Sequence, residues 1–84
     1  MDRTELSAVR WEAIVADLRR RDIDGEPLLV SVEAVTWPDG SLGCPRPGRS
    51  YTHALVPGMR VVVSVGGETY DYRFGRSDSP RLCP

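Results

Sequence analysis

Three regimes of apolar spacing divide the chain. From about Glu5 to Asp22, Trp11, Ile14, Val15 and Leu18 recur at i, i+3, i+4 and i+7 and draw one stripe along a helix. Leu6, Val9, Ala13 and Ala16 make a second, shallower stripe beside it. Asp2 or Thr4 is placed to cap this helix, and Asp2 with Glu5 has capping-box spacing. Arg19, Arg20 and Arg21 fall in its last turn, where positive charge complements the helix dipole. Asp24-Gly25-Glu26-Pro27 ends the helix and turns the chain. The period then drops to two: from Leu28 to Trp37, Val30, Val32 and Ala34 alternate with Ser31 and Glu33, as in a half-buried strand. Val35 and Trp37 fall on the polar parity, so the strand either bulges near Ala34 or is covered on both faces at its end.

The third regime is a hairpin from Met59 to Phe74. Gly66-Gly67 suits a two-residue loop, because the favoured hairpin turns need positive φ. Pairing outward sets Val65 opposite Glu68, Val63 opposite Tyr70, Val61 opposite Tyr72 and Met59 opposite Phe74. These residues share one face, apolar except at the tip. The other face carries Arg60, Val62, Ser64, Thr69, Asp71 and Arg73, with Asp71 placed to neutralise both arginines. A slip of one residue would mix the faces, which fixes the register. The helix stripe is the natural cover for the apolar face.

Between strand and hairpin lies a stretch of another kind. Pro38 to Ser50 holds three prolines and three glycines and can form neither a regular helix nor an interior strand. Pro38-Asp39-Gly40 is a turn signal, with Asp39 placed to bond its own turn backbone. Cys44-Pro45-Arg46-Pro47 reads as extended and stiff. Tyr51 to Val56 reads as a short strand, Pro57-Gly58 as a turn, and Gly75 to Pro84 as irregular.

Composition narrows the function more than it names one. The 84 residues are 40% hydrophobic and 27% charged, with a net charge of −1. That fits one small domain over 1–84, with room for one site. A near-zero charge gives no reason to expect nucleic acid or an acidic membrane as partner. No apolar stretch is long enough to span a membrane. The N-terminus has no apolar leader, so the chain is expected to be cytoplasmic if Met1 is the native start, and secreted if a leader has been removed.

Chemistry is sparse. Cys44, Cys83 and the single His53 offer three ligands where structural zinc wants four, so no metal and no cofactor are expected. A disulfide between Cys44 and Cys83 is the leading expectation, closing a loop of about 40 residues for about 4 kcal/mol of stabilisation. The competing expectation is a Cys44 nucleophile with His53 as its base. Trp37, Tyr51, Tyr70 and Tyr72 read as core and sheet packing rather than a ligand cage. The loop offers Asp39, Leu42, Arg46 and Arg49 as binding residues, with Leu42 expected to stand partly exposed and rimmed by arginine, the composition of a contact hot spot; the alternative is that Leu42 folds inward and the loop only plugs the open end of the sheet.

The run Val35-Thr36-Trp37-Pro38-Asp39-Gly40-Ser41-Leu42-Gly43-Cys44-Pro45 continues in Pro47-Gly48, Tyr51-Thr52, Tyr70-Asp71-Tyr72 and Pro80-Arg81-Leu82-Cys83. In these features the chain resembles a family of small uncharacterised, mainly actinobacterial proteins, whose members also start with a helix. The resemblance covers most of the chain and implies no established activity, so it carries over no catalytic residue. Where members end the last strand in Tyr-His, this chain has Tyr72-Arg73, and no histidine role carries to that position.

These readings predict an α+β fold: one N-terminal helix packed on an antiparallel sheet of three or four strands. The expected function is a non-enzymatic binding module that contacts a protein partner through the loop 39–49. Its sharpest form is a protease inhibitor presenting Leu42 or Arg46. The rival from another class is a small cysteine-dependent enzyme using Cys44 and His53. A third is an accessory subunit that buries an apolar patch against a larger protein. The sequence names neither the partner nor the oligomeric state.

Overall fold

The computed structural model describes residues 5–84. They form a helix, α1 (Ala8–Arg20), and four strands, β1 (Leu28–Trp37), β2 (Val56–Val65), β3 (Glu68–Phe74) and β4 (Arg81–Cys83). The strands pair antiparallel in the order β1-β2-β3-β4, so the sheet is a meander and the architecture is α+β.

The helix starts at its first good cap. Ser7 is extended, and its hydroxyl accepts the Arg10 N–H at 3.1 Å. Asp2 and Thr4 lie outside the described residues. The helix stops before the expected Asp24-Gly25 signal, because Asp22 takes a left-handed conformation (φ 58). Its N–H then reaches the Arg19 carbonyl and that of Ile23 the Leu18 carbonyl, which closes the last turn as a Schellman motif. Asp tolerates this backbone better than most residues, and Ile23 packs on the core as the motif's apolar contact.

The hairpin adopts the expected register throughout, from Val65↔Glu68 at the tip to Met59↔Phe74. Gly66 and Gly67 both have positive φ. Val61, Val63, Val65, Tyr72 and Phe74 are buried together with Ile14 and Leu18, and Trp11, Val32, Met59 and Leu82 pack around them. The core is thus α1's stripe laid on one face of the sheet.

Three expectations are corrected. β2 begins at Val56 and runs through Pro57-Gly58, which read as a turn; 51–55 form no strand. Proline is tolerated there because β3 pairs with β2 only as far as Met59, so Pro57 has a strand neighbour on one side, at Thr36. The tail carries a fourth strand, β4, paired Asp71↔Cys83 to Arg73↔Arg81. Of the two alternatives for the end of β1, the covered end holds: the bulge lies between Leu29 and Ser31, and Trp37 is buried. Beyond it, Val32, Ala34 and Thr36 lie on the helix face, and Val35 and Trp37 on the other. Trp37 is buried because the chain after it folds back over that second face.

Candidate functional site

The second face of the sheet is a band of charge. Glu33, Arg60, Arg73 and Arg81 stand side by side on the four strands. Asp71 accepts from Arg60 Nε and Nη2 at 3.1 and 3.0 Å and from Arg73 Nε and Nη2 at 3.3 and 3.2 Å, as the hairpin register implied. Burial acts to raise the Asp71 carboxyl. The hydrogen bonds and charges of Arg73 and Arg60 outweigh it and hold the group below the usual carboxylate range.

The loop sits on this band. Arg73 Nη1 donates to the carbonyls of Leu42 and Gly43 at 3.0 and 2.8 Å, while its guanidinium lies 5.1 Å over the Trp37 ring. Arg81 Nη1 donates to the carbonyls of Gly40 and Ser41 at 3.3 and 2.8 Å. Two neighbouring guanidiniums therefore collect the four consecutive backbone carbonyls of residues 40–43, of which only that of Ser41 also accepts a bond within the loop. Asp39 bonds the Ser41 N–H at 2.9 Å and also the Ser41 hydroxyl, forming the expected local turn, and these bonds lower its carboxyl. Cys44 N–H closes a tight turn on the Ser41 carbonyl, with Leu42 and Gly43 both at positive φ. Cys44 is joined to Cys83 by a disulfide, with Cα atoms 6.0 Å apart.

Leu42 is the main correction to the expected site. It is 7% exposed, not a presented contact. The clamp on its carbonyl and its positive φ of 56° turn the side chain under the loop, toward Gly75. Left-handed backbone costs a leucine about 1 to 2 kcal/mol, which burying an aliphatic side chain offsets at about 1.5 to 3 kcal/mol.

The half of the loop after Cys44 is different. Residues 45–50 are all exposed. Arg49 N–H bonds the Arg46 carbonyl at 3.3 Å across Pro47-Gly48, with Gly48 at φ 77. Proline followed by a positive-φ glycine makes this a type II turn. The Arg46 N–H donates to the Tyr51 hydroxyl at 2.9 Å, which ties the turn to the chain returning toward β2. Among the described residues Arg46 and Arg49 make no ion pair, and the turn carries one at each end. His53 is exposed nearby in sequence. A groove of about 510 Å³ runs past the loop's base between Leu42, Leu55, Val56, Gly75 and Pro80.

Arg73, Arg81 and Asp17 act in ways the sequence reading missed. Asp17 is buried on the inner side of α1 and accepts from the Tyr72 hydroxyl at 2.8 Å, Arg21 Nε at 2.7 Å and Arg20 Nη2 at 3.0 Å. It pins the helix to β3. Burial pushes its carboxyl up, but the hydrogen bonds from Arg21 and Tyr72 prevail and lower it. Burial, and then the bond to Asp17, push the Tyr72 hydroxyl up. Arg81 was within reach of sequence reasoning, since a bond from Cys44 to Cys83 brings the residue two before Cys83 against the loop.

A pH prediction follows from the two carboxyls. Both titrate lower in the fold than in the unfolded chain. Their stabilisation is complete above the unfolded value of about 3.9 and is lost as pH falls through their folded values. The thermal midpoint is expected to hold between about pH 7 and pH 5 and to fall below about pH 4. Asp71→Asn is expected to flatten that fall, measured as midpoint against pH.

Helix on one face, disulfide-bound loop on the other and a four-stranded meander between define a small α+β scaffold that displays a loop. Among the described residues no group of three or more His, Cys, Asp and Glu side chains is placed to hold a metal ion, and no helix is long and apolar enough to cross a membrane. The chain belongs to the family described as Domain of unknown function (DUF8738), whose family model matches residues 11–83, from α1 to the second cysteine of the disulfide. No curated protein and no solved structure matches it.

Proposed function

We propose that this protein is a non-enzymatic binding module whose contact surface is the loop 39–49, narrowed to the turn from Arg46 to Arg49. The observation that carries the reading is the contrast within the loop. Residues 40–44 are fixed by two guanidiniums and a disulfide, while the turn beyond stands clear with two uncompensated arginines. A rigid base lowers the entropy lost on association. A pair of exposed guanidiniums suits a partner surface rich in carboxylates. Asp39 and Leu42 serve this surface from beneath, by shaping and seating the loop. The motif from Val35 to Pro45, which we take as the mark of the mainly actinobacterial group, corresponds to that fixed base.

The protease-inhibitor form rests on Arg46, exposed between Pro45 and Pro47. The turn folds the chain back directly after Arg46, which favours a carboxylate-bearing surface over a protease cleft. The rival enzyme needs a Cys44 thiolate, and in the bonded state that sulfur is held by Cys83. A thiol titration of the native protein separates the two readings. The same bond favours an oxidising compartment.

The test uses a glutamate-rich decapeptide as probe, with binding followed by the backbone and guanidinium NMR signals of the turn. Arg46→Ala and Arg49→Ala are each expected to weaken binding about 2- to 5-fold, the worth of one exposed charge, with the thermal midpoint unchanged. Arg19→Ala, an exposed arginine on α1, is expected to have no effect. Equal losses from all three would reduce the attraction to general charge and overturn the reading. Stoichiometric inhibition of a trypsin-like protease, abolished by Arg46→Ala, would establish the inhibitor form instead.

A further inference from the structure

β1 is the long open edge of the sheet. Among the described residues its one strand partner is β2, and seven of its ten residues are exposed. Leu28, Leu29 and Val30 are each more than half exposed. The opposite edge, β4, has three residues and is bound to the loop through Cys83. Sheet edges that stay unpaired are protected by lysine, proline or inward-pointing charge. β1 has no proline and one charge, Glu33, already engaged by Arg60 at 3.3 Å. Its one protective device is the bulge between Leu29 and Ser31, and from Ser31 to Trp37 the strand runs in unbroken register along β2.

We infer that β1 is the seam of a homodimer, in which two sheets join antiparallel across a two-fold axis at Ala34 to make one eight-stranded sheet. The register follows from faces and charge. An axis at Ala34 sets Val32 against Thr36 of the second copy, Glu33 against Val35, and Ser31 against Trp37. Each pair lies on one face, since Val32, Ala34 and Thr36 are on the helix face and the others on the loop face. This register uses the whole regular stretch. An axis at Glu33 would oppose two carboxylates, which destabilises a strand pair. An axis at Val32 would run both ends into the bulge, and one at Val35 would shorten the pairing to 33–37. Ala34 is exposed and small, so two backbones can approach closely at the axis. The occupant is a second copy because the edge's one charge, Glu33, is already paired with Arg60 and selects no charged partner, and a strand paired with itself about a two-fold satisfies both edges identically.

The experiment is sedimentation equilibrium of the full chain. The mass is expected to climb from one copy toward two between about 10 µM and 1 mM, as an interface below the standard size implies. Ala34→Arg brings two guanidiniums together across the axis only in the dimer. It is expected to weaken association at least about tenfold while the thermal midpoint at low concentration is unchanged. Ala34→Thr, small and strand-forming, is expected to keep the dimer, as is Leu55→Arg, at an exposed apolar residue outside β1. A wild-type chain that stays monomeric up to about 1 mM overturns the inference. So does a dimer that survives Ala34→Arg, or one that is lost with Leu55→Arg.

Discussion

Removing the Cys44–Cys83 bond, by reduction or by paired Cys44→Ser and Cys83→Ser substitutions, is expected to lower stability by about 4 kcal/mol. The bond joins residues 39 apart in sequence, and the unfolded chain without it regains the freedom of that closed loop. A domain of this size has only about 4 to 13 kcal/mol in total. The loss therefore moves the protein from secure to marginal, with a midpoint fall of about 16 to 30 °C. Differential scanning with and without reductant measures it, and a shift of a degree or two would contradict the expectation. Arg73 and Arg81 hold the loop carbonyls independently of the sulfur atoms. Those reduced molecules that remain folded are expected to keep Leu42 buried, so the bond acts on the unfolded chain more than on the seat of the loop.

Gly58→Ala is expected to destabilise by about 3 to 5 kcal/mol, combining forced overpacking with the loss of a buried hydrogen bond. A Cβ at Gly58 would fall on the carbonyl oxygen of Phe74 and 2.9 Å from Trp37 Nε1. Those two atoms are already bonded to each other, with the indole N–H donating to the Phe74 carbonyl at 3.0 Å. The obstacle is backbone on one side and a buried ring on the other, so neither can swing aside. An alanine must push the indole out of its slot or part β2 from β3, and either movement unseats the loop above. Gly40→Ala is the control. Its nearest new contact, the Thr52 backbone nitrogen, lies at 3.5 Å, and the expected effect is below about 1 kcal/mol. Equilibrium denaturation followed by tryptophan fluorescence distinguishes the two.

The parts of the fold that were legible in the sequence are those in which local pattern and tertiary packing agree. The hairpin is the clearest: alternation, a Gly-Gly tip and a charge partner at Asp71 all demand one register, and no long-range contact competes. The limits of β1 were legible for the same reason. The reading failed where a distant group decided the outcome. Pro57-Gly58 carries a turn signal, but β1 pairs along it and the Trp37 ring needs the space that a glycine leaves. Arg81-Leu82-Cys83 is too short to show a period and becomes a strand through its neighbours on β3. Leu42 has no strand to hide it, so sequence logic put it outside. It is inside because Arg73, on a strand 31 residues later, takes its carbonyl. Nothing local separates Asp17 from Glu12, the other carboxylate of α1, and its burial depends on Tyr72 arriving from β3. In the candidate site, the exposed arginines, the Asp39 turn and the cysteine pair were legible, while the guanidiniums of Arg73 and Arg81 that hold the loop's carbonyls were not.

The clamp also sets an order of events. The loop is made first, yet Arg73, Arg81 and Cys83, which fix it, all follow it in the chain. During synthesis from the N-terminus, α1, β1 and the loop emerge before any of them. The turn from Arg46 to Arg49 can reach its final place only after β3 has paired with β2 and the three residues of β4 have closed on β3. A nascent chain therefore carries an unfinished loop, and the turn proposed as the contact surface settles late and all at once.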